Sequence, residues 1–168
     1  MKRTSFITTI AIVFALSGCI KNDPVIYEDH RIEFDAAIWN ANAAGKTYPV
    51  LTRVPAQGVA TGTSQPTLTR TSGTIQLRIN LVGAQRAQAT TFTYRVNPES
   101  TAVSGVHFAP ITGTGNIPAN SSFGTISIDI LNPGASTGSK ILVLELIDTP
   151  DPKVSANYAK VGLSIAQS

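Results

Sequence analysis

Thr74-Ile75-Gln76-Leu77-Arg78-Ile79-Asn80-Leu81 alternates polar and apolar side chains without a break. Successive side chains of a strand point to opposite faces, so Ile75, Leu77, Ile79 and Leu81 share one face and Gln76, Arg78 and Asn80 the other. One face is made for a core and the other for water. Thr91-Phe92-Thr93-Tyr94-Arg95-Val96 and Thr125-Ile126-Ser127-Ile128-Asp129-Ile130 repeat the pattern.

Working outward, residues 140–147 (Lys-Ile-Leu-Val-Leu-Glu-Leu-Ile) are apolar on both faces except at Glu145, which predicts a central strand. The last strand is expected over Tyr158 to Ala166, with Val161, Leu163 and Ile165 inward. Earlier strands are expected at Ile26 to Phe34 and Tyr48 to Val54. Gly83, Asn97-Pro98, Gly113 to Pro118, Asn132-Pro133-Gly134 and Pro150-Asp151-Pro152 punctuate these runs as turn formers. No segment shows a helical stripe. The reading is all-β: an immunoglobulin-like antiparallel β-sandwich of about seven strands, with a closed barrel as the alternative. Arg78 and Arg95 face outward on consecutive strands, and like charges directly opposite destabilise a pair. The long Gly83 to Ala89 connection points the same way, so these two strands are expected in opposite sheets.

The N-terminal end has a different character. Lys2 and Arg3 precede a short apolar run from Phe6 through Leu16, and Leu16-Ser17-Gly18-Cys19 follows. This is the layout of a secretory signal, and the run falls short of the roughly 20 residues that span a bilayer as a helix. Leu-Ser-Gly-Cys resembles the lipobox of bacterial lipoproteins. The resemblance implies acylation of Cys19 and cleavage before it, which divides the chain into a signal peptide (1–18), a lipidated tether (19–29) and a single sandwich domain (30–168). Each buried methylene contributes roughly 0.8 kcal/mol, so several acyl chains hold far better than one. Cys19 is the sole cysteine, and the domain after it has neither disulfide staples nor thiol chemistry. Ile20 follows it where an aspartate often favours inner-membrane retention. The expected location is therefore the outer membrane, on the periplasmic face or the cell surface.

Loss of residues 1–18 removes Lys2 and Arg3 and takes the formal charge from +3 to about +1. The arginines are dispersed along the strands, so no nucleic-acid-binding surface is expected. About 150 residues remain, enough for one ordinary domain.

A further resemblance rests on Ser100-Thr101-Ala102-Val103-Ser104-Gly105-Val106-His107-Phe108, on Asn116-Ile117-Pro118-Ala119-Asn120, and on the strands Gly124 to Leu131 and Leu142 to Ile147. Their order, over residues 47 to 165, is similar to lipoprotein domains of unknown function from Bacteroidetes and, more distantly, to the Calx-beta sandwich. It implies an immunoglobulin-like domain at the outer membrane, often beside glycan-uptake systems, and carries over no catalytic residues. Where calcium-binding Calx-beta domains cluster acids, this chain has His107 and Asn132-Pro133. Asp148 and Asp151 are too few for an ion that takes six to eight oxygens, so no calcium site, metal or cofactor is expected.

Few residues remain as carriers of chemistry. His107, between Val106 and Phe108, is expected to be a loop histidine bonded to backbone, since no second ligand stands at chelating spacing. No Gly-x-Ser-x-Gly elbow occurs. Glu33 and Asp35 share one face of a strand and are expected to form a solvated edge. Glu145 is expected to pair with Arg78 or Arg95. Trp39 is the only tryptophan; its usual role would be to cover one end of the core. If exposed, its ring could stack on a sugar with Asn40 and Asn42 as hydrogen-bonding neighbours. The expected function is non-catalytic: a binding or structural accessory of an outer-membrane complex, held to the membrane by lipid. A glycan-binding module is the alternative, and an enzyme is disfavoured.

Overall fold

The computed structural model describes residues 29–168. Cys19 and the first part of the strand expected from Ile26 lie outside the described residues.

The chain folds as two sheets packed face to face. The strands are β1 (Arg31–Phe34), β2 (Val50–Leu51), β3 (Thr74–Val82), β4 (Thr90–Val96) and β5 (Thr114–Ile117), then β6 (Phe123–Asp129), β7 (Ser139–Leu146), β8 (Lys153–Val154) and β9 (Lys160–Ala166). One sheet runs β6-β3-β1-β8 and the other β2-β9-β7-β4-β5. The long strands are those whose alternation is unbroken. In β6 every second residue is buried, and in β3 Ile75, Leu77, Ile79 and Leu81 all turn inward. They meet Phe92, Leu142, Leu144, Val161, Leu163 and Ile165 from the facing sheet. Each such side chain contributes roughly 1.5–3 kcal/mol by leaving water, so register is fixed by the inward set. β7 lies in the middle of its sheet, as its two apolar faces require. β3 and β4 fall in different sheets, which separates Arg78 from Arg95.

Three expectations need correction. The described residues form about nine strands, because β5 and β8 are too short to alternate visibly. It is not wholly antiparallel: β1 pairs with β8, and β2 with β9, in parallel. Such pairings join distant segments, and no local pattern announces them. A short helix, α1 (Asp35–Trp39), also follows β1 directly. Ala36 and Ala37 favour it and are buried, and Asn40 ends it by donating from Nδ2 to the Ala36 carbonyl at 2.8 Å. One turn is too short to show a 3.6-residue stripe.

The segment between β2 and β3 doubles back as a loop held by Leu68 N–H to Thr52 O and Val54 N–H to Pro66 O, both 2.9 Å. It places Leu68 in the core and carries Gly58 and Val59 towards the outer face of the four-stranded sheet. Among the described residues no helix is long and apolar enough to cross a membrane.

Candidate functional site

The outer face of the four-stranded sheet is built around Asp35. Phe34 is in register with Ile79, so the chain leaving β1 sets Asp35 beside Arg78 on the water-facing side. The Asp35 side chain is only 1 % exposed. Its Oδ1 accepts from Arg78 Nη2 at 2.6 Å, Asn80 Nδ2 at 3.0 Å and Trp39 Nε1 at 3.2 Å; its Oδ2 accepts from the Gly58 N–H at 2.6 Å. Burial pushes this carboxyl up, but the bonds from Gly58, Asn80 and Arg78, with the Arg78 charge, outweigh burial and hold it below the usual carboxylate range. Four donors from a helix, a loop and a strand thus converge on one charge.

Arg78 is held on every side. Its Nε donates to Asn80 Oδ1 at 3.1 Å, and its guanidinium lies 5.2 Å from the centre of the Phe123 ring. Gly58 packs against the guanidinium so closely that a Cβ there would meet Nη2 at 3.1 Å, and its φ of +73° also suits glycine. Trp39 is 49 % exposed, Phe123 50 % and Val59 53 %. Of the five large apolar side chains exposed among the described residues, Trp39 and Phe123 therefore touch a single ion pair, and Val59 follows the Gly58 that packs against it. We call this the ledge.

The expectation of a solvated acidic edge at Glu33 and Asp35 is overturned. β1 is bonded on both sides, by β3 and β8, and both carboxyls are buried. Burial raises Glu33 above its ordinary value and the nearby Asp35 charge adds to this, against a hydrogen bond from Ser155. Trp39 likewise does not cover one end of the core: it closes the ledge from outside.

Trp39 and the two asparagines part company. Both polar atoms of Asn40 are engaged, Nδ2 on Ala36 O and Oδ1 on the Thr61 N–H at 3.0 Å. Asn40 and Asn42 line an open depression of about 650 Å³ with Thr47, Asn157 and Tyr158, in which Trp39 takes no part. Phe123 and Gly58 escape the sequence reading, which places Arg78 outward but gives it no part in a site. The available signal was the outward row of β6, where Phe123 heads Thr125, Ser127 and Asp129 as the one aromatic.

Glu145 and Glu99 are each matched by cations. Glu145 binds Arg95, not Arg78: it accepts from Arg95 at 2.9 Å and Asn97 Nδ2 at 2.9 Å, with Lys160 at 3.6 Å. Glu99 takes Lys46 at 2.6 Å and the Tyr48 hydroxyl at 2.9 Å, which fastens residues 46–48 to the five-stranded sheet. His107 Nδ1 accepts from the Val103 N–H at 2.9 Å and closes its turn, as a loop histidine bonded to backbone should. Among the described residues no group of three or more His, Cys, Asp or Glu could hold a metal ion.

The architecture is shared with solved structures. A crystal structure of the apo-form Calx CBD1 domain matches with a TM-score of 0.53 over 81 % of this chain and 96 % of that one, at 13 % identity. The fold is a Calx-beta-type sandwich. The calcium binding domain CBD12 of CALX1.1 superposes with a TM-score of 0.52 at 14 % identity, over 59 % of this chain and 40 % of that one. At such identity the likeness speaks for the fold alone. No protein-family model matches the sequence, and no curated protein does.

Proposed function

We propose that this Calx-beta-type domain is a lipid-anchored, non-catalytic binding module of the bacterial envelope, an accessory of an outer-membrane complex that engages its partner through the ledge. The observation that carries the reading is the gathering of Trp39, Val59 and Phe123 around Arg78 and Asp35. Exposed large apolar side chains scattered singly need no explanation; a group of them on one rigid face marks a contact surface. Aromatic residues and arginine are also the side chains over-represented where binding energy concentrates. The lipobox-like Leu16 to Cys19 supports the anchor.

Two features can be tested in cells making the full-length protein. A photo-crosslinking amino acid placed at Val59, on the ledge, is expected to trap envelope material, while the same group at Val103, exposed on another loop, traps none. A discrete adduct would indicate a protein partner and a smear a polysaccharide. Equal trapping at both positions, or at neither, would remove the ledge from consideration. Cys19→Ser is expected to move the chain from the membrane fraction to the soluble one. A variant that stays membrane-bound would end the lipid-anchor reading while leaving the ledge untouched.

A further inference from the structure

We propose that the ledge is a binding site for a neutral saccharide, with Trp39 and Phe123 as stacking groups and Arg78 as the hydrogen-bond donor between them. The inference rests on the reading of this face as the binding face and names its ligand class.

The chemistry on offer is narrow. Asp35 accepts four hydrogen bonds, two or more of them charge-assisted or from backbone, and has nothing left to present outward. Asn80 gives one Nδ2 hydrogen to Asp35 and takes Arg78 Nε at Oδ1, which leaves its second N–H. Arg78 has more to offer. A guanidinium carries five N–H donors, and here Nε and Nη2 serve Asn80 and Asp35. No described residue accepts from its Nη1, and the side chain is 22 % exposed. The ledge therefore shows a ligand two half-exposed rings and the remaining N–H groups of Arg78.

Pyranose rings match this. Their faces of C–H groups lie against aromatic rings, and their hydroxyl and ring oxygens accept hydrogen bonds. Charge selects within the class. The Arg78 cation is already balanced by a buried carboxylate 2.6 Å away. An anionic ligand would find little net positive potential, whereas a hydroxyl needs none. The donors are also fixed before the ligand arrives. Gly58 packs on the guanidinium, Asp35 grips it and Phe123 stacks beside it, so little side-chain freedom remains to be lost on binding.

The test uses the full-length acylated protein in detergent, run in native gels containing galactomannan, xyloglucan or mixed-linkage β-glucan, with polygalacturonate as the anionic probe. At least one neutral polysaccharide is expected to retard the protein. Trp39→Ala and Phe123→Ala should each weaken retardation at least tenfold with unchanged circular dichroism, since both side chains are half outside the fold. Arg78→Lys keeps a cation for Asp35 but loses the fork, and should weaken it comparably. Val103→Ala should change nothing. Absence of retardation by every neutral probe, retardation by polygalacturonate alone, or retardation that survives both aromatic substitutions would overturn the proposal. A protein trapped at Val59 together with no retardation would reject the saccharide and leave the binding face standing.

Discussion

Asp35→Ala removes the acceptor on which α1, the 52–68 loop and β3 all depend. The carboxylate is 1 % exposed and takes four hydrogen bonds, from Gly58, Arg78, Asn80 and Trp39. Deleting one partner of a buried ion pair costs about 3–5 kcal/mol, because the other charge is left without compensation. Arg78 is 22 % exposed and can recover some hydration, so the low end applies, about 3 kcal/mol. Against the roughly 5–15 kcal/mol by which domains are stable, this is a large fraction. With a urea m-value of about 1–3 kcal/mol/M, the midpoint should fall by roughly 1–3 M with m itself unchanged. Circular dichroism should follow the transition, since the fluorescence of Trp39 reports on the site being altered. Removing Arg78 as well should cost much less than the sum of the single losses. Acid should bring out the same group. The folded pKa of Asp35 lies below its unfolded value, so its stabilisation is complete above the unfolded value and is lost as pH falls through the folded one. The stability gap between wild type and Asp35→Ala should therefore narrow below about pH 4. A loss under about 0.5 kcal/mol at pH 7, the range of ordinary surface substitutions, would refute the assignment of Asp35 as the organising charge.

Glu33 should behave with the opposite sign. Its folded pKa is raised by burial, so the fold favours its protonated form and bears a growing penalty as pH rises through that value. Glu33→Gln should raise the urea midpoint at pH 7, with the advantage shrinking in acid; an advantage that grows in acid would contradict the burial argument. Gly124→Ala should destabilise by about 1–3 kcal/mol, as overpacking does, since its Cβ would meet the Asn116 carbonyl oxygen at 2.3 Å. A neutral result in thermal melts would mean that β5 and β6 are free to separate. Glu145→Ala should cost about 1–2 kcal/mol, as loss of charged hydrogen bonds to Arg95 and Asn97 implies, and an unchanged melting temperature would place that cluster among surface pairs of no consequence.

The sandwich was legible wherever one strand face is buried along its whole length. β3, β4, β6, β7 and β9 announce themselves through side chains such as Leu77, Phe92, Ile128, Leu144 and Leu163. β5 did not, because Thr114-Gly115-Asn116 reads as turn chemistry and only Ile117 is fully buried. Its pairing comes from β4, far from anything its own sequence shows. β2 shrank to two residues because Thr52 and beyond leave the sheet to form the loop that carries Gly58. The ledge was half visible. Trp39 drew notice as a lone tryptophan, and Arg78 as an outward arginine, but nothing in the local pattern joins them. Their meeting requires Asp35 to leave the strand and enter α1, and requires Gly58 to arrive from a loop more than twenty residues on.

The placement of β1 also decides how the domain bears tension. Its four residues lie between β3 and β8, with Lys153 N–H on His30 O and Ser155 N–H on Ile32 O, both at 3.0 Å. A pull on the N-terminal end acts along this strand, while its hydrogen bonds run across it. The bonds on both flanks are then loaded in shear and must yield together, not peel apart one by one. A domain dragged from that end by whatever it holds would keep its outer ledge in shape until β1 itself slid free.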